Sequence, residues 1–449
     1  MIEQQTLVEI ARMVREKEAS AEEVLEAHLG RIERENPKLN AFVWVDGEGA
    51  RAAARAGVDG PLGGVPVTVK DSFDVAGKAT ACGSRFLLDH IAGRDATAVA
   101  RLRAAGAILL GKTNTPELLA SYETDNFVTG RTVNPWDPER TPGGSSGGEA
   151  AAIAAYCSAG GLGSDGGGSI RVPAHFCGIV GFKPTLHRVP ATGHFPPMNL
   201  PTGLVGSAGP MARTVADARA LFEVMAGYDP KDALSTPEPG RQTWRKEWRI
   251  GVWPQFYSVP VDPGVAAGVA RAAAALESAG FEVEEFRPSG LERAPNVWAF
   301  FFGELGQPQT REILGGREGE AHWTATENLR PASMLDPKMV VEQFAARDRM
   351  RALFEEQTRE ARVVLAPVSS IPAFRHRERR WEAGGRSINL FQAMMPATVV
   401  NLLGLPALAL PAGRSAEGLP VGVQLIGRAF EDELVFEVGR RLEEALGGA

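Results

Sequence analysis

The sequence predicts an α/β protein, a single large domain in which a mixed, mostly parallel central β-sheet carries helices on both faces. Three observations support that reading. Short β-branched strands alternate with amphipathic helical stretches along most of the chain, the βαβ rhythm that builds parallel sheets. Apolar residues form 44% and charged residues 23% of 449 positions, which is the balance of a globular chain with a large core. Gly (51) and Pro (31) supply the many connections this architecture needs, yet no internal repeat or long linker divides the chain.

Taken in order, residues 6–17 and 20–35 each open with an S/T-x-x-E capping box and repeat apolar residues at helical spacing, as at Leu7, Ile10, Met13 and Val14. Residues 41–45 read as a strand and 48–57 as a helix. Residues 63–71 are short, β-branched and flanked by glycine, so they predict a strand that ends on Lys70. Helix 95–105 and strand 107–110 follow. The alternation returns at strand 250–253, helix 265–278, strand 281–286 and strand 363–365. It closes with helix 391–403, strands 406–410 and 421–426, and helix 431–446. Residues 230–245 and 370–387 are polar and irregular, and predict surface loops or an insertion.

Composition excludes several classes. A formal net charge of −7 and a pI near 5.7 give no basic surface for nucleic acid. The N-terminus lacks the basic and apolar regions of a signal peptide, and no apolar run is long enough to span a bilayer, so the expectation is a cytoplasmic address with no membrane partner. Cys82, Cys157 and Cys177 are odd in number, widely spaced and without C-x-x-C, which predicts reduced, buried thiols. No metal-ligand spacing occurs and the histidines are scattered; no cofactor is expected.

The richest stretch is Thr141-Pro142-Gly143-Gly144-Ser145-Ser146-Gly147-Gly148-Glu149, followed by an alanine run and then by the glycine-rich residues 161–171. Two glycine-rich loops around a short helix predict backbone N–H groups aimed at something small. Ser146 and Glu149 read as a capping box, placing Ser145 at a helix N-terminus, where free N–H groups favour an anion or an oxyanion. Two motifs fail on context. G-x-S-x-G around Ser145 lacks the strand a nucleophile elbow requires, since three prolines stand at 135–142. G-x-G-x-x-G at 161–166 follows a helical alanine run and has no acidic residue about 20 positions on. Lys70 stands out because only nine of 48 basic residues are lysine, so a lysine closing an apolar strand is not a casual surface charge.

With Lys70, Ser145 and Ser169 in view, the chain resembles the amidase signature family of serine hydrolases. The resemblance rests on Val69-Lys70-Asp71, the GGSSGG loop at 143–148 and Gly-Ser-Asp-Gly-Gly-Gly-Ser-Ile-Arg at 163–171, in that order and spacing. It covers residues 60–215 and 390–446 well and 230–385 poorly. This divides the single domain into N-terminal helices (1–60), signature core (61–215), divergent middle on the substrate side (216–386) and C-terminal core (387–449).

The resemblance implies Ser169 as acylated nucleophile, Ser145 as proton bridge held by a cis peptide bond, and Lys70 as base. It also implies an oxyanion hole from the N–H groups of Gly166, Gly167, Gly168 and Ser169. The residue types make chemical sense: a serine hydroxyl needs a neighbouring base, and lysine serves only when burial lowers its pKa of ~10.4 by about three units. Ser146, Asp165 and Arg171 are expected to support the loops, and Leu119, Ala120 and Ser121 to line the acyl pocket. Trp298 and Phe300 to Phe302 are candidate apolar walls. Gly166, where many relatives carry a larger residue, suggests a more flexible loop.

The function expected is hydrolysis of a small or medium carboxylic amide to acid and ammonia or amine. Two other readings stand beside it. The glutaminase component of a tRNA-dependent amidotransferase shares the triad, although residues 115–122 lack the Asp-Glu-Phe-Ala-Met-Gly type of segment associated with it. An inactive binding protein on the same fold is the non-enzyme reading. A single sequence displays no interface, and a homodimer is compatible with it.

Overall fold

A computed structural model of the chain describes residues 1–237, 242–330 and 334–447; residues 238–241 of the polar stretch 230–245 lie outside them. The strands, in chain order, are β1 (Phe42–Val45), β2 (Pro66–Lys70), β3 (Ile108–Thr113), β4 (Gly160–Asp165), β5 (Val180–Lys183) and β6 (Ser207–Ala212). They continue with β7 (Arg249–Val252), β8 (Val283–Glu285), β9 (Ala361–Pro367), β10 (Arg380–Ala383), β11 (Arg386–Asn389), β12 (Ala407–Arg414) and β13 (Pro420–Ile426). Eleven of them form one sheet in the order β1-β3-β2-β4-β6-β5-β12-β13-β9-β7-β8.

The α/β class and the mixed sheet are as expected; the balance of directions is not. Four neighbouring pairs are parallel, β2 with β3 and β4, and β7 with β8 and β9. The other six pairs are antiparallel. Parallel pairing survives where a helix crosses between strands, as Thr97–Ala104 does between β2 and β3, whereas the centre is joined by reversals that the local alternation does not display.

Strand alternation sends successive side chains to opposite faces. On β2, Val67 and Val69 join a core with Leu7, Val99, Leu221, Val269 and Leu434, contributed by helices on one face. Thr68 and Lys70 therefore point to the other, where helices Gly147–Ala154, Arg171–Cys177 and Leu390–Leu403 pack. This parity, set by the sequence, delivers Lys70 beneath the glycine-rich loops.

The first two helices carry the capping boxes expected, on Thr6 and Ser20. Three other local readings are corrected. Residues 160–165 form strand β4 rather than a loop, and are glycine-rich because neighbours crowd them: a Cβ on Gly161 would lie 2.3 Å from the Thr68 carbonyl oxygen and 2.1 Å from Glu149 Oε1. Ser146 is the N-cap of Gly147–Ala154, but no capping box forms. The buried Glu149 carboxylate instead accepts hydrogen bonds from Thr68 and, at 2.7 Å, Thr113, pinning the helix to β2 and β3. Finally, part of 370–387 is ordered as the hairpin β10–β11, its turn made by Gly384 and Gly385 with φ of +52° and +73°.

Gly161→Ala should destabilise the fold by about 1–3 kcal/mol through overpacking against rigid backbone. A urea unfolding midpoint equal to that of the parent would contradict this packing.

Candidate active site

Lys70 closes β2 with its side chain fully buried. Its Nζ donates to Ser145 Oγ at 2.7 Å and Ser164 Oγ at 2.9 Å, and lies 3.4 Å from the Ser164 carbonyl oxygen. Burial pushes the amine down to about 7, against the opposing pull of Cys82, Asp165 and Glu149. Another buried lysine offers a contrast. Lys112, near the end of β3, has Asp71 Oδ1 at 2.6 Å and also holds the Ala79 carbonyl oxygen and Thr80. Lys70 has hydroxyls where Lys112 has a carboxylate.

The loop carrying Ser145 is tied down from both sides. Gly143 N–H donates to Thr141 Oγ1 at 3.0 Å, and its carbonyl accepts from Thr124 Oγ1 at 2.9 Å. The Gly144–Ser145 peptide bond is cis. Ser146 N–H donates to the Ser169 carbonyl at 3.1 Å, while Ser146 Oγ donates to that of Ser164 at 3.3 Å. Ser146 thus joins the Ser145 loop to β4 and to the loop that follows it.

That second loop, 166–170, is shaped by Asp165 and Arg171. Asp165 Oδ1 accepts Gly168 N–H at 2.7 Å; Oδ2 accepts Ile170 N–H at 3.2 Å and Arg171 Nε at 3.0 Å. Arg171 reaches on to Gln424 Oε1 at 2.8 Å and Asn401 Oδ1 at 2.6 Å. Asn401 Nδ2 returns to Asp165 Oδ1 at 2.9 Å. Burial alone would raise the Asp165 carboxyl, but the Arg171 guanidinium beside it holds it well below the usual carboxylate range.

One consequence corrects the expected oxyanion set, because the Gly168 N–H is already spent on Asp165. The N–H groups of Gly166, Gly167 and Ser169 carry no hydrogen bond to protein among the described residues.

Above this loop lies a cavity of about 380 Å³, bordered by Gly167 and Ser169, by Leu119, Ala120 and Ser121, and by Trp298 and Phe302. Leu119 holds φ of +62°, a conformation bulky residues seldom take. At Gly166, where the sequence suggests a more flexible loop, aromatic side chains pack against the backbone. The Gly166 carbonyl accepts the Trp298 indole N–H at 2.7 Å, a Cβ there would meet the Phe302 ring at 2.8 Å, and the Gly167 carbonyl accepts Tyr122 OH at 2.6 Å. Aromatic side chains fill the space a larger residue would occupy. Phe300 and Phe301 turn into the core instead.

Ser164, Tyr122, Asn401 and Gln424 were not singled out from sequence. Even spacing along β4 groups Ser164 with Leu162, which packs with Val67 and Val69, so parity gives no signal for its contact with Lys70; Asn401 and Gln424 lie far off in sequence. His175 and Cys177 are structural: His175 bonds the Ile371 carbonyl and Gly422 N–H, and Cys177 is buried.

Residues 23–436 match the Amidase family, and the chain belongs to it. It is therefore a family of hydrolases acting on carbon–nitrogen bonds that this fold and site represent. A glutamyl-tRNA(Gln) amidotransferase component from Methylacidiphilum infernorum (isolate V4) is 33% identical, over 98% of this chain and 94% of that protein. A solved amidase structure is 32% identical, with a TM-score of 0.87 over 99% of this chain and 100% of that one. A chain from a vestigial complex bearing on the origins of an s-triazine catabolic enzyme has a TM-score of 0.91 at 29% identity, with 99% of both chains covered. No helix among the described residues is long and apolar enough to cross a membrane.

Removing the guanidinium with Arg171→Met should leave Asp165 as an unpaired buried charge and destabilise the protein by about 3–5 kcal/mol. Thermal or denaturant unfolding measures this, and parental stability would contradict the role given to the pair.

Proposed function

We propose that the chain is an amidase that hydrolyses a small or medium carboxylic amide to the acid and ammonia or an amine. The observation that carries this reading is the buried Lys70 amine 2.7 Å from Ser145 Oγ, beside a cavity bordered by Ser169. Near pH 7 about half the molecules hold Lys70 neutral, with a lone pair able to accept a proton.

Ser169 Oγ attacks the amide carbon while its proton passes to Ser145 Oγ, and the Ser145 proton passes to Lys70 Nζ. A hydroxyl serves both as donor and acceptor, so Ser145 bridges without carrying charge itself, and Lys70 holds the proton as an ammonium. The N–H groups of Gly166, Gly167 and Ser169 receive the developing oxyanion, an effect typically worth ~3 kcal/mol per donor. Collapse breaks the carbon–nitrogen bond, and the proton held on Lys70 returns through Ser145 to the departing nitrogen. Water then attacks the acyl ester, giving up its proton along the same relay, and frees the acid and Ser169.

The glutaminase reading remains the second one, favoured by 33% identity to an amidotransferase component along 98% of the chain. Co-purification with partner proteins and glutamine-specific hydrolysis would support it. An inactive binding protein would resist fluorophosphonate labelling at Ser169 while folded.

Two outcomes test the amidase reading. Ser169→Ala should abolish both turnover and fluorophosphonate labelling with the fold intact; unchanged turnover would refute the nucleophile. Because ammonium cannot accept the relayed proton, kcat/KM should rise about tenfold per pH unit below 7 and level off above it. Glu149, which burial pushes up to about 7, titrates in the same range, so the limb should persist in Glu149→Gln. A limb centred near 10, or one lost with Glu149, would contradict the assignment to Lys70.

A further inference from the structure

The cavity's lining has two characters. One side is apolar and aromatic, with Trp298, Phe302, Phe391, Met394 and Leu119. Trp298 and Phe302 stack with ring centroids 5.0 Å apart and planes 13° from parallel. Both rings lie directly against the loop: the Trp298 indole donates to the Gly166 carbonyl at 2.7 Å, and an added Cβ on Gly167 or Gly166 would strike Trp298 at 2.4 Å or Phe302 at 2.8 Å. The aromatic wall is thus built directly on the loop that carries Ser169.

The other side is a rim whose charges already answer one another. Glu327 lies 3.0 Å from Arg379 and accepts Ser121 Oγ at 3.1 Å; Arg379 also holds Glu123 at 2.6 Å. Arg330 pairs with Glu304 at 2.8 Å, and the Gln307 amide donates to the Asn328 carbonyl at 3.1 Å. A zwitterionic amino-acid amide would bring an ammonium and a carboxylate to a rim with its ionic partners engaged, and unpaired charge at a partly desolvated wall is costly. A neutral ring meets no such cost and gains aromatic contact. The volume of about 380 Å³ falls in the range of roughly 300–1,000 Å³ typical of small-molecule pockets.

We infer that the preferred substrates are neutral amides of flat, aromatic acids, with Trp298 and Phe302 as specificity-determining residues and free L-glutamine excluded. This rests on the amidase reading and names the substrate class of that same site.

Calorimetric titration of Ser169→Ala separates binding from turnover, with 2-naphthamide and L-glutamine as probes. 2-Naphthamide should bind at least about tenfold more tightly than L-glutamine, a difference of ~1.4 kcal/mol. Adding Phe302→Leu should reduce that ratio at least about threefold; Phe302→Tyr, which keeps a ring, should preserve it and serves if the leucine variant does not fold. Equal or tighter binding of L-glutamine, or a ratio indifferent to removal of the ring, would overturn the inference. Parallel assays with the unmutated protein distinguish the two readings. Ring-dependent binding of 2-naphthamide without turnover of any amide supports the slot and sinks the amidase reading; turnover of neutral aliphatic amides in preference to 2-naphthamide sinks the slot and leaves the amidase, and a preference for L-glutamine sinks the slot in favour of the glutaminase.

Discussion

Burying an amine without giving it a carboxylate is the constraint from which the rest of this site follows. Lys70 is placed by strand parity on the helix-covered face of the sheet, where its hydrogen-bond partners among the described residues are Ser145 and Ser164. Water would favour the ammonium, and so would a neighbouring anion. The structure denies it both. Asp165 is near enough to raise the amine's pKa, but its oxygens are committed to Arg171, Asn401 and the loop amides. Glu149 is committed to Thr68 and Thr113, and burial pushes its carboxyl up to about 7, which favours its neutral form. Arg171 therefore acts on Lys70 at one remove: by absorbing the charge of Asp165 it keeps the low pKa of the amine from being undone.

The same Asp165–Arg171 pair connects proton chemistry to backbone shape. Its hydrogen bonds fold residues 166–170 into the turn that opens helix Arg171–Cys177, and they take Gly168 out of the set of free amides. Gly167 and Ser169 border a cavity to which the divergent middle of the chain contributes Trp298 and Phe302. Phe302 fills the space that a side chain at Gly166 would need and Trp298 that of one at Gly167, so the residue expected to loosen this loop is one of the two that let the wall dock on it. Loop and wall are in that sense one unit, and a change in either alters both the free amides and the shape of the cavity.

Much of this was legible in the sequence because it is local. The capping boxes at Thr6 and Ser20, the strand ending on Lys70 and the glycine-rich motifs around Ser145 and Ser169 are each read within short windows. Local pattern misled where tertiary contacts took over a side chain. Glu149 fits a capping box, yet two threonines on adjacent strands claim it. Residues 160–165 have the composition of a loop, yet they pair on both edges as a central strand, because only glycine fits between Thr68 and Glu149. The pairing of β5 with β12, and the contributions of Asn401 and Gln424 to the Arg171 network, join segments more than 200 residues apart, which no window spans.

The account stands or falls on the charge of one side chain. Carbon and nitrogen NMR of the nine lysines, followed as a function of pH, measures it directly. Burial sets both Lys70 and Lys183 near 7, so two side chains should titrate around neutrality, and one of those signals should vanish in Lys70→Met. If the signal removed by that substitution titrates at ~10, the amine is an ordinary ammonium and the relay has no base.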